Sequence, residues 1–198
     1  ANAANAVTLL DVIDKTTSPM GGRLLKRWLA LPLKDRLAIQ RRHEMVKSFI
    51  DSDDFSSLVA YQLKQISDLE RLVSKVATAK ASPREIVLLK NSLKAILPIR
   101  DVALKNSNPS VQHLAKQLHP CEGLIAKITE TLFEDAPVNI NKGKAIANGV
   151  HQELDELRSI ANSGKQYLDD MLTRETEKTG ISSLKIAFNN VFGYYIEV

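Results

Sequence analysis

Hydrophobic positions recur along these 198 residues with two different periods. From Ser18 to about Lys178 they return every three or four residues, the spacing of helices that bury one face. From Leu184 to Val198 they return every second residue, the spacing of half-buried strands. The stretch SPMGGRLLKRWLALPL predicts a first helix, with Ser18 as N-cap and Pro19 at the first helical position, ending at Leu31 and Pro32. Asp35 opens a second helix carrying Ile39, Met45, Val46, Phe49 and Ile50, and a third carries Phe55, Leu58, Val59, Leu63 and Ile66. DLERLVSKVAT adds one or two turns. Ser82 and Glu85 then form a capping-box pattern with Pro83 just inside, and Pro98 is expected to end or kink that helix. Two shorter helices are expected around 110–118 and 121–132. EDAPVNINKGKAIANG is the longest break, with room for a short extended segment.

The most informative segment runs from Val150 to about Lys178. Its seam reads Val150, Leu154, Leu157, Ala161, Gly164, Leu168, Met171, in alternating steps of four and three. That is a heptad-like stripe, suited to a long helix packed lengthwise on another. At about 1.5 Å per residue it would reach roughly 43 Å. Thr179 and Gly180 suit its C-terminus. Beyond them Leu184, Ile186 and Phe188 alternate on one strand, Tyr194, Ile196 and Val198 on a second, with NNVFG between. A lone two-stranded hairpin is marginal in water, and one apolar seam does not face water unaided, so a returning helix beyond Val198 is expected. The predicted fold class is mainly α: a multi-helical core bundle with a long projecting helix and a short β-hairpin at the C-terminal end. Residues 1–15 read as a lead-in or linker, 16–178 as the helical domain and 179–198 as the truncated beginning of a β-rich one.

Composition agrees with this. Aromatics make up only 5%, apolar residues 44% and charged residues 25%, a helix-leaning mixture typical of a globular domain. No apolar run approaches the roughly 20 residues needed to cross a bilayer, and no signal peptide opens the chain, so a cytoplasmic protein without membrane partners is expected. The net charge of +4 is modest but unevenly spread. Residues 21–50 hold eight basic residues against two acidic, whereas residues 150–180 hold seven acidic against four basic. A solvated basic helix face is the plainest account of the first stretch, with nucleic acid or an acidic partner as the alternatives.

Candidate chemistry is sparse. Gly164 and Lys165 lie mid-helix and lack the remaining glycine and hydroxyl residues of a phosphate-binding loop. His113, His119 and Cys121 are close in sequence but offer no fourth metal ligand. Glu153, Asp155 and Glu156 spread around a helix rather than pairing, and no nucleophile–base arrangement stands out. No catalytic, cofactor-binding or metal residue is therefore assigned. Trp28, beside Leu24, Leu25 and Leu29, reads as a core anchor. Gly180, Gly193 and the Asn189–Asn190 pair read as turn residues. Lys185, with the amides of the hairpin turn, is the candidate for contact with a phosphate backbone, although a lone lysine is ordinary surface.

Four blocks carry a family resemblance. TTSPMGGRLLKRWLALPLKD is similar to a Thr-x-x-x-Met-Gly-x-Arg-x-Leu-x-x-Trp signature, met by Thr16, Met20, Gly21, Arg23, Leu25 and Trp28. ISDLERLVSKVATAKASPREIVLLKNSL, GVHQELDELRSIA and TGISSLKIAFNNVFGYYIEV follow in order. Together they resemble the bacterial MutS family of DNA mismatch repair proteins, over nearly the whole chain. One departure is Lys144, where the family commonly has a second glycine after Gly143. The resemblance implies a non-catalytic core and lever region with the first part of the clamp, linking an ATPase to a DNA-holding tip. It implies that ATP and Mg act in the full-length protein, not in this part. The implied partners are double-stranded DNA with mismatches, other MutS domains and a second copy in a homodimer. A helical protein-interaction scaffold with negligible DNA contact of its own is the alternative.

Overall fold

A computed structural model describes residues 7–198 except Phe192. Residues 1–6, the first part of the lead-in expected at 1–15, lie outside the described residues. Among these, nine helices precede one hairpin: α1 Leu9–Ile13, α2 Pro19–Ala30, α3 Arg36–Ile50, α4 Asp53–Leu63, α5 Leu69–Ala77, α6 Pro83–Leu104, α7 Pro109–Lys116, α8 Glu122–Thr131, α9 Gln152–Thr179, then β1 Lys185–Asn189 and β2 Gly193–Glu197. The mainly α class is as expected. The chain divides into two compact units, residues 1–147 and 148–198.

In the first unit α6 is the axis, packing against α4, α5, α7 and α8. Its start is fixed by the capping box. The Glu85 amide donates to Ser82 Oγ at 3.3 Å, and the Ser82 amide donates to Glu85 Oε2 at 3.0 Å. Two of the orphan amides at the helix start are thereby satisfied. Two core clusters lie along the axis. One holds Phe55, Val59, Ala103, Val111 and Ala115; the other holds Leu72, Leu89, Leu93 and Ile125. Ser92, fully buried on α6, accepts from the Ser67 amide at 3.0 Å and donates to the Leu88 carbonyl at 2.8 Å, so the α4–α5 connection is tied to the axis without an unsatisfied hydroxyl.

Three expectations change here. Pro98 neither ends nor breaks α6, which continues to Leu104. A proline costs about 3 kcal/mol inside a helix through its missing amide and its clash with the preceding turn. Buried Leu89, Leu93 and Ala95 on one side of it and Ala103 on the other supply packing that outweighs this. Trp28 is not a core anchor. It stays 42% exposed, with the Arg42 guanidinium 3.7 Å from its ring centroid, because α2 contributes no buried residue. Arg23 instead fastens α2 to the start of α5, donating to both carboxylate oxygens of Asp68 at 2.9 and 2.8 Å. Finally, the sequence pattern did not predict α1, a single turn closed by a Thr8–Asp11 capping box.

The long break after α8 does contain an extended contact: Leu132 and Ile146 form an isolated antiparallel bridge. Lys90, on α6 and 1% exposed, reaches out of the core to ion-pair with Glu134 at the edge of that segment, while Asn91 donates to the same carboxylate at 3.1 Å. These contacts hold the Glu134 carboxyl below its ordinary range, with Lys90 the main cause. Lys144 does not adopt positive φ; Gly143 beside it takes φ +137. The turn therefore places its conformational demand on one glycine, and a side chain at 144 is accommodated.

Candidate nucleic-acid interface

The second unit begins at Asn148 and is built on α9. His151 is its N-cap, Nδ1 accepting from the Leu154 amide at 3.3 Å, and Asp155 accepts from the Gly149 amide at 2.6 Å. Arg158 donates to Asp155 and Asn148. Glu153 and Asp155 in the first turn and Lys178 in the last complement the helix dipole. Gly180 closes the helix in the left-handed conformation at φ 72, as its residue type predicted. The helix spans 28 residues, about 42 Å.

No residue of α9 is buried. Along the predicted seam Leu157 is 58% exposed, and Ile160 and Tyr167 beside the seam are more exposed still. The stripe exists as read, and most of it faces water. One stretch is partly covered. Ala161, Gly164, Leu168 and Leu172 form a groove of about 710 Å³ with Ile186 and Tyr194 of the hairpin.

The hairpin pairs Lys185 with Glu197, Ile186 with Ile196, Ala187 with Tyr195, Phe188 with Tyr194 and Asn189 with Gly193. Alternation then sorts the side chains. Ile186, Phe188, Tyr194 and Ile196 share one face, with the Phe188 and Tyr194 rings 5.0 Å apart. Lys185, Ala187, Asn189, Tyr195 and Glu197 share the other. Lys185 is exposed and sits directly across from Glu197. An opposite charge in that position favours the hairpin and also offsets the local positive potential. The candidate phosphate contact is thus one cation on a nearly neutral face. Tyr195 and Asn189 share that face, which the two-residue period could have shown but the sequence reading did not use.

The other candidate residues stay apart. Gly164 and Lys165 lie within α9, where backbone amides are already committed to helical bonding and cannot cradle a phosphate. His113 contacts Gln117 on its own helix, while Cys121, in the left-handed conformation at φ 56, donates weakly to the His119 carbonyl. Among the described residues no group of three His, Cys, Asp or Glu side chains could hold a metal ion. Among the described residues no helix is long and apolar enough to cross a membrane.

Comparison with known proteins bears on what this geometry belongs to. The chain is 61% identical over 194 residues to a DNA mismatch repair protein MutS of Flavobacterium psychrophilum, covering 98% of this chain and 22% of that protein. It is 60% identical to that of Christiangramia forsetii and 46% to that of Cytophaga hutchinsonii, in each case across 100% of this chain and 23% of the relative. The chain thus spans less than a quarter of the length of these relatives. The family model described as MutS domain III matches residues 1–190, and the chain belongs to the MutS family as a domain III.

Proposed function

We propose that this chain is the non-catalytic core and lever region of a MutS-type mismatch recognition protein, with the first strands of its DNA-holding clamp. The observation that carries the reading is α9: a capped helix of 28 residues with no buried side chain that leads directly into an exposed hairpin. Such a rod transmits displacement as a unit if a second helix covers its seam. In the complete protein it links an ATPase, where ATP and Mg act, to a clamp resting on mismatched duplex DNA, within a cytoplasmic homodimer. This region itself hydrolyses nothing. Lys185 contributes about one phosphate contact and reads no base.

The test is charge reversal in the complete protein. Lys185→Glu should weaken binding to matched and mismatched duplexes alike and reduce the slope of log affinity against log salt by about one. An unchanged slope would favour the second reading, a scaffold that docks neighbouring protein without touching DNA. Exposed Leu24, Trp28 and Leu29 on α2 support that alternative, because a patch rich in leucine and tryptophan suits protein contact better than phosphate.

A further inference from the structure

Asn148 and Gly149 form the only Asn–Gly step in the sequence, and it lies in the turn that leads into α9. Such a step carries the parts of a reaction within itself. The amide nitrogen of the second residue can close a five-membered ring on the side-chain carbonyl carbon of the first, and glycine puts no Cβ in the way. Gly149 holds φ at +82, and a Cβ built there would meet nothing within 4 Å, so the approach to its nitrogen is open. Both residues are exposed, which gives water access to the ring and ammonia a way out.

Two charged side chains hold the two reacting groups of this step. The Gly149 amide donates to Asp155 Oδ2 at 2.6 Å, and Asn148 Oδ1 accepts from Arg158 Nη1 at 3.2 Å. The carboxylate therefore sits on the proton that the nucleophile must lose, the position of a general base. The guanidinium sits on the oxygen that gains negative charge when its carbon is attacked, the position of an oxyanion donor. Arg158 Nη1 also donates to Asp155 Oδ1 at 3.3 Å, so the two groups are fixed to each other as well as to the turn. Their side chains are only 17% and 31% exposed, for Arg158 and Asp155 respectively, which weakens the competition from water for both contacts.

We infer that Asn148 is a self-modification site, converted to isoaspartate and aspartate by its own neighbours. Gly149 N attacks Asn148 Cγ while Asp155 takes the amide proton. The N–Cγ bond forms, the Cγ–Nδ2 bond breaks, and Nδ2 leaves as ammonia with the proton passed on from Asp155. The product is a succinimide. Water, the only co-reactant, then opens the ring. Opening at the Asn148 backbone carbonyl leaves the chain linked through Cγ as isoaspartate; opening at Cγ gives aspartate. Either product puts a new carboxylate beside Asp155. Isoaspartate also lengthens the backbone by one carbon just ahead of His151, the N-cap of α9, so the anchoring of that helix changes as the protein ages.

Ageing the 198-residue chain in warm neutral buffer tests this, with peptide mass spectrometry that distinguishes isoaspartate from aspartate. Asn148 should convert ahead of every other asparagine. Its rate should be about tenfold above that of the free peptide KAIANGVH, which keeps the Asn–Gly step but lacks Asp155 and Arg158. Asp155→Asn and Arg158→Gln, each checked by circular dichroism for retained helix, should bring the rate down toward that of the peptide. A folded chain that converts no faster than the peptide would overturn the assignment. So would an unchanged rate in either variant, or another asparagine converting first.

Discussion

Residues 7–147 and residues 148–198 are stabilised by different means. In the first stretch fourteen apolar side chains are buried; in the second, among the described residues, none is. The bundle earns its order from tertiary packing around α6. Helix α9 is held by its own caps and by neighbours one turn apart, such as Gln152 with Glu156 and Gln166 with Asp170. Local contacts of this kind are worth only a few tenths of a kcal/mol each. A helix whose stability in proteins usually comes from a covered face is here long, well capped and bare. Regular secondary structure and a cooperative core are therefore separate achievements of this chain.

That contrast can be broken most directly by truncating a large side chain in each half. Phe55→Ala should cost about 4 kcal/mol in urea unfolding, as a cavity opens beside Val59 and Ala103, whereas Leu168→Ala should cost less than about 1 kcal/mol. Equal losses would mean that α9 is packed as firmly as the bundle. Glu134→Ala should cost about 2 kcal/mol, since it strands the Lys90 ammonium inside the protein; Lys90→Met together with Glu134→Ala should recover most of that loss. Ser82→Ala removes the α6 cap and should cost about 1 kcal/mol. Hydrogen exchange sharpens the comparison along the backbone: α6 amides should exchange at the rate of global unfolding, and α9 amides much faster. If α9 protection rises with protein concentration, a second copy is covering its seam.

The gentlest probe is acid. Arg23 holds the Asp68 carboxyl at about 2, down from an ordinary 3.8, and Lys75 with the Ser82 amide holds Glu85 at about 2, down from 4.5. Both values are lowered on folding, so their stabilisation is complete above about pH 4.5 and disappears as pH falls toward 2. Because both carboxylates belong to the bundle, Tm of its transition should fall through that window, and Glu85→Gln should flatten part of the fall.

The helix boundaries were legible wherever one residue carries the signal. Ser18, Asp35, Ser82 and Gly180 each cap the helix that the residue pattern assigned to them. Local chemistry decides those positions, and local chemistry is written in order along the chain. That Pro98 does not end its helix and that Trp28 is not buried were illegible for the opposite reason. Whether a proline ends a helix, or an indole is buried, depends on what packs against it from other elements. The Lys90–Glu134 pair was invisible for the same reason, since its members lie 44 positions apart. At the hairpin, the alternation fixed which residues share a face with Lys185. It could not show that Glu197 stands opposite, because the register depends on the turn between the strands.

The bridge between Leu132 and Ile146 bears on protein engineering. Flanking bonds from the Phe133 amide to the Ala145 carbonyl and from the Ala147 amide to the Thr131 carbonyl clamp both ends of the segment together. Its tip, from Val138 to Lys144, is exposed throughout. The ends are joined whatever lies between them, and each doubling of a flexible loop costs only about 0.6 kcal/mol. A fluorescent protein or an epitope could be spliced into Asn139–Lys142, giving a reporter on the bundle that leaves α9 and its hairpin untouched.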